Sequence, residues 1–218
     1  ESGGGNYKIT QRQYWDQAKR FNPHRFDPDN WMRAIADAGF TYAVFTARHH
    51  DGFAMWPSDY GDLNTKNFMN GRDLVGEYVK ACRRHGIKVG LYYSPPDWYV
   101  HRYYMSFLYG TGTLPGRDTH LGLDHEPLDA VPPAPPALER DYIRYVNGQV
   151  RELLARYGKI DLLWFDGRPS AHPEELIPIE EIRGLQPGIV VNDRGHGYGD
   201  YCAKYECFLP ETRPPEDV

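Results

Sequence analysis

Apolar and polar positions along this chain alternate between two periods. Trp31, Ile35 and Ala38 recur at helical spacing, so a helix is expected after Asp29, with Gly39 to end it. Residues 40–47 are then short, apolar and rich in aromatic and β-branched side chains, the pattern of a strand buried on both faces. Leu74, Val75, Tyr78, Val79 and Cys82 form the stripe of a second helix over residues 72–85, closed by Gly86, and residues 87–94 read as a second strand. A third helix over 138–157 places Ile143, Val146, Val150, Leu153 and Leu154 on one face, and a third strand follows at 160–165. A short helix over 173–185 leads to a fourth strand at 189–192. Residues 95–137 hold little periodicity and much Pro and Gly, a length of connection that usually serves function.

This alternation predicts an α/β fold with a parallel sheet, either open or closed into a barrel. The polar residues favour a barrel. Each strand is followed at its C-terminal end by reactive groups: Arg48, His49, His50 and Asp51; then Ser94, Asp97 and Trp98; then Asp166 and Arg168; then Asn192, Asp193, Arg194 and His196. Four successive strands that place polar groups at one end match a (β/α)8 TIM-type barrel with its site on the C-terminal rim. A dinucleotide fold would carry Gly-x-Gly-x-x-Gly after its first strand, and none occurs.

Composition adds exclusions. The formal charge of -5 argues against nucleic acid or an anionic membrane as the main partner. No apolar run reaches the length of a membrane-spanning helix. Cys82, Cys202 and Cys207 are too few for a disulfide framework. His49 and His50, as neighbours leaving a strand, are expected to point to opposite sides. With no His-Glu-x-x-His and no zinc-type Cys pairs, no metal and no cofactor are expected. Nor is there a Gly-x-Ser-x-Gly elbow for a serine nucleophile. Asp166 follows Leu162-Leu163-Trp164-Phe165, which would carry a carboxylate to the mouth of the core. It either does chemistry there or caps the next helix. Arg194 ends the next strand and suits a neighbouring carboxylate or a substrate oxygen; Glu206 and Glu211 offer a second carboxyl.

The ordered words of the chain resemble a known family. Phe45-Thr46-Ala47-Arg48-His49-His50-Asp51-Gly52-Phe53-Ala54-Met55-Trp56-Pro57-Ser58 is similar to the signature of glycoside hydrolase family 29, the α-L-fucosidases. The likeness continues through Arg72-Asp73-Leu74-Val75, Gly90-Leu91-Tyr92-Tyr93-Ser94, Leu163-Trp164-Phe165-Asp166-Gly167 and Val191-Asn192-Asp193-Arg194. The resemblance implies a retaining exo-α-L-fucosidase acting on a fucosylated glycan or glycoside, in a secreted, periplasmic or lysosomal setting. It implies Asp166 as nucleophile and Glu206 as acid/base, with Glu211 in reserve. His49, His50, Tyr92, Trp164 and Arg194 would be the sugar contacts. The family's opening His-Trp-Gly strand has no counterpart before residue 20, and its later strands would follow Val218. The expectation is therefore a single partial barrel domain over residues 1–218, the central part of the catalytic domain. A glycosidase for a similar sugar, such as an α-L-galactoside, and a catalytically silent sugar-binding relative are the alternatives.

Overall fold

Capping chemistry sets where the helices begin in this computed structural model, which describes residues 9–100, 120–124, 126–129 and 135–203. Thr10 and Gln13 form a reciprocal capping box at the start of α1 (Gln11–Asp16), which runs into a 3-10 turn at Gln17–Arg20. Asp27 accepts the Asn30 amide at 3.1 Å and Pro28 takes the first helical position of α2 (Pro28–Asp37). Asn64 caps the single turn α3 (Thr65–Phe68), and Asp73 accepts the Gly76 amide at 2.8 Å to open α4 (Leu74–Arg84). The long helix α5 (Pro136–Arg156) follows, then a 3-10 turn at Pro173–Glu175 and α6 (Ile179–Leu185). One helix was expected over 173–185, but Pro178 cannot continue a helix from upstream, so it breaks the segment and α6 starts after it.

The strands are β1 (Tyr42–Arg48), β2 (Lys88–Tyr93), β3 (His120–Leu121), β4 (Pro127–Leu128), β5 (Leu162–Phe165) and β6 (Val190–Val191). β3 and β4 pair as a small antiparallel hairpin within the stretch where no element was expected. The other four form one parallel sheet in the order β1-β2-β5-β6. Two rows of residues cross it in register: Val44, Gly90, Leu162 and Val190, then Thr46, Tyr92 and Trp164.

The alternate rows meet different surroundings. Ala47, Val89, Leu91, Tyr93, Leu163, Phe165 and Val191 are buried on the helix-facing side with Val75, Val79, Val146, Val150 and Leu153. Each such Leu or Phe contributes roughly 1.5–3 kcal/mol through burial. On the other side Tyr42 is 56% exposed and Val44 36% exposed, so β1 is not buried on both faces as its composition suggests. On that concave side Tyr92 and Trp164 are partly exposed as well, and apolar content alone does not say whether a second layer is present. In α2 the inward positions are Met32, Ile35 and Ala36. Trp31, expected to face the core, is 44% exposed and lies edge to face with Phe26 at 5.0 Å.

Gly90 has a packing reason to lack a side chain. A Cβ there would sit 2.7 Å from the Ala43 carbonyl oxygen and 2.8 Å from a Val44 methyl. Among the described residues no helix is long and apolar enough to cross a membrane.

Candidate active site

The site forms where β1, β2, β5 and β6 release their chains at one end of the sheet. Asp166 is the first residue after β5, and its amide donates to the Tyr93 carbonyl at 3.0 Å, which prolongs the ladder by one residue. Two side chains hold its carboxylate and a third stands beside it. Arg194 places a guanidinium nitrogen 2.7 Å from Oδ1, the Tyr92 hydroxyl donates to Oδ2, and His50 Nε2 stands 3.4 Å from the same oxygen. The next helical turn begins only at Pro173, after His172, and the partners of the Asp166 carboxylate are side chains. The helix-cap alternative is therefore excluded.

His49 stacks parallel on Tyr92 with centroids 5.6 Å apart, and the two imidazoles lie 4.4 Å apart. They do not point to opposite sides, which corrects the expectation drawn from strand alternation. The β1–β2 register shifts between Thr46 and Arg48 and β1 ends at Arg48, so His49 and His50 are already in the loop. His49, His50 and Asp166 present donor atoms within 4.8 Å of one another and are one set of described residues able to converge on a metal ion. The other set is His172, Glu174 and Glu175, at the 3-10 turn that follows β5.

A space of about 420 Å³ opens over the concave face, bounded by Val44, Thr46, His49, Tyr92, Trp164, Asp166 and Arg194. That volume lies within the usual range of small-molecule sites. Trp164 supplies the apolar wall, with Tyr201 edge-on to it at 5.9 Å. His49, His50, Tyr92, Trp164, Asp166 and Arg194 are thus brought together, while Glu206 and Glu211 lie outside the described residues. Val44 and Thr46 were not singled out beforehand. Their signal was the period of two in β1, which puts them in the same rows as Gly90 and Tyr92.

Several polar residues at the strand ends turn out to build the scaffold. Arg48 and Asp97 are fully buried and ion-paired at 2.9 Å. Arg48 also donates to Gln149 Oε1 at 2.9 Å and to the carbonyls of Ser94 and Pro95, with its guanidinium over the Tyr93 ring. Asp97 accepts the Tyr145 hydroxyl at 2.7 Å and the amides of Tyr99 and Val100 at 2.8 Å. This network pins the loop from Ser94 to Trp98 behind His50. Asp51 is likewise occupied, accepting the Tyr14 hydroxyl at 2.9 Å and the Phe53 amide at 3.0 Å. Its neighbour Gly52 adopts φ +88, and a Cβ there would meet Asp97 Oδ1 at 2.7 Å. Asn192 continues the short strand β6 with its side chain, accepting from the Phe165 amide and donating to its carbonyl, both at 2.9 Å. That turn delivers Arg194 back over Asp166.

Burial shifts one titration in this group. His50 is lowered to about 4, first by loss of solvent and then by the charge of His49, with Asp166 opposing in part. Its imidazole is neutral around pH 7. One space is therefore bounded by an acid, a guanidinium, a phenol, an imidazole and an indole face, with the second imidazole, His50, beside the acid: both hydrogen-bond polarities with an apolar wall.

Comparison with known proteins agrees with this arrangement. Residues 3–217 match the family described as Alpha-L-fucosidase. Human tissue α-L-fucosidase is 39% identical over 216 residues, covering 92% of this chain and 40% of the relative. Among solved structures, α-L-fucosidase isoenzyme 1 from Paenibacillus thiaminolyticus superposes with a TM-score of 0.66 at 37% identity, over 86% of this chain and 42% of that one. An Asp-to-Ala variant of the α-L-fucosidase AlfC, in complex with Fuca(1,6)GlcNAc, gives a TM-score of 0.64 at 26% identity, over 90% of this chain and 61% of that one. The chain belongs to the α-L-fucosidase family of glycoside hydrolases. It spans about two-fifths of the length of the mammalian tissue enzymes it matches.

Proposed function

We propose that this chain is the central part of the single (β/α)8 barrel domain of a retaining exo-α-L-fucosidase, which removes terminal fucose from glycans or glycosides. The observation that carries this reading is the Asp166 carboxylate, held by Arg194 at 2.7 Å and by the Tyr92 hydroxyl, at the wall of a space that suits one sugar ring. The sheet order supports the barrel, because each crossover from β1 to β6 moves one strand in the same direction instead of reversing as a doubly wound sheet does. AlfC, solved with Fuca(1,6)GlcNAc, supports a fucosyl substrate.

In this mechanism Asp166 attacks the anomeric carbon and the leaving oxygen takes a proton from Glu206, with Glu211 as reserve. The resulting ester to fucose is then hydrolysed by water activated by the same glutamate. Arg194 and Tyr92 hold the attacking carboxylate and receive charge back as the ester breaks. His49 and His50 take sugar hydroxyls, and Trp164 provides a wall for the C6 methyl.

The test is made in the full-length protein on an aryl α-L-fucoside. Asp166→Gly is expected to lose about 10³-fold or more in kcat. Added azide, attacking from the face the carboxylate has left, is expected to yield the β-fucosyl azide. Glu206→Ala should instead be rescued with retention, giving the α-azide. Near-wild-type turnover by Asp166→Gly would remove the nucleophile assignment, and rescue at Glu211→Ala but not Glu206→Ala would transfer the acid/base role.

A further inference from the structure

Ser94 ends β2, is fully buried, and anchors its amide on the Arg48 carbonyl at 3.0 Å. Its hydroxyl has one proton and donates it to the Pro96 carbonyl at 2.7 Å. The same oxygen is hydrogen-bonded to His50 Nδ1, toward which it can then only accept. The Pro96 carbonyl, which also takes part in the hydrogen bonding of the His50 ring, can only accept. Nδ1 of a neutral His50 therefore carries the ring proton, and Nε2 carries the lone pair. The ring has little freedom to turn away, since Trp98 packs on it at 5.2 Å and the Trp98 amide donates to the His50 carbonyl at 2.7 Å.

Nε2 faces Asp166 Oδ2 at 3.4 Å, and that oxygen already accepts the Tyr92 hydroxyl. Two lone-pair atoms opposed at this distance favour a ligand that brings a hydrogen to Nε2. We propose that Ser94 is a positioning residue that locks His50 in its Nδ1–H form, so that Nε2 accepts the proton of one hydroxyl of the bound sugar beside Asp166. This deepens the fucosidase reading and rests on it. The ligand class is defined by polarity: the hydroxyl at that position must donate, so a fluoro or O-methyl group in its place loses the contact. The buried imidazole stays neutral among the groups that face it, His49, Asp166 and Arg48, which preserves the acceptor near neutral pH.

The tautomer is read directly by ¹⁵N NMR of the imidazole-labelled full-length protein, with His50→Gln to assign the signals. Protonated Nδ1 and unprotonated Nε2 are expected, and a proton on Nε2 would overturn the proposal without any variant of Ser94. Ser94→Ala is expected to mix the two tautomers and lower kcat/KM for an aryl α-L-fucoside by about 10- to 100-fold, with Ser94→Thr recovering both. An unchanged tautomer with unchanged kcat/KM in Ser94→Ala would overturn it. If the wild-type protein cleaves no α-L-fucoside, the functional reading fails, while the ¹⁵N shifts still decide the tautomer.

Discussion

His50 holds a neutral imidazole where an exposed one would begin to charge. Its pKa is about 4 in the folded protein, against about 6.5 when unfolded. Between those values the unfolded chain binds the extra proton, so stability falls as pH drops from about 6.5 toward 4 and is fully present above that window. The lowered His196, half-buried with its ring hydrogen-bonded through Nε2 to the Ile177 carbonyl, acts in the same sense. Urea midpoints measured across this window are expected to decline in the wild type and to decline less steeply in His50→Gln. The phenol on Asp166 gives a second outcome at this scale. Tyr92→Phe keeps the ring stacked on His49 and removes only the donor, so kcat/KM is expected to fall about 10- to 100-fold with the fold intact. Asp166 and Arg194 stood out in the sequence because each follows a strand word, whereas Tyr92, inside its strand, was picked out by the family resemblance alone. The roles of Arg48 and Asp97 did not, because a charged residue looks the same in sequence whether its partner is a ligand or a buried counter-ion.

Between elements, that buried ion pair joins the end of β1, the loop after β2 and, through Gln149 and Tyr145, helix α5. Asp97→Ala would leave the Arg48 charge enclosed and unpaired, so a loss of about 3–5 kcal/mol is expected in chemical denaturation. The loop behind His50 would be freed as well, so activity should fall further than stability explains. Helix positions were largely legible in advance: the stripe Leu74, Val75, Tyr78, Val79, Cys82 and the stripe Ile143 to Leu154 are buried as their spacing implied. Trp31 was misread because an apolar residue at helical spacing can sit one position off the true stripe, here marked by Met32. The β3–β4 hairpin was missed because two-residue strands carry no period.

Over the whole molecule, the sheet separates its two tasks by face. The helix-side row carries the packing, and the concave row of Val44, Thr46, Tyr92 and Trp164 borders the 420 Å³ space. A bulky residue on the concave row should therefore disturb binding and spare the core. Thr46→Trp is expected to raise KM for an aryl α-L-fucoside about tenfold or more, close to 1.4 kcal/mol of binding. Its urea midpoint should stay near wild type, since surface changes away from packed features cost within about 0.5 kcal/mol.

The unidirectional strand order also has an evolutionary reading. Advancing along the polypeptide means advancing across the sheet one strand at a time, so each inter-strand excursion leaves from its own position on the C-terminal edge. Lengthening or trimming the excursion between β1 and β2, which begins at His49, would redraw that border of the 420 Å³ space. The tyrosine, aspartate and arginine trio, anchored on β2 and at the ends of β5 and β6, would keep its spacing, so the space could change shape among descendants without the trio being rebuilt.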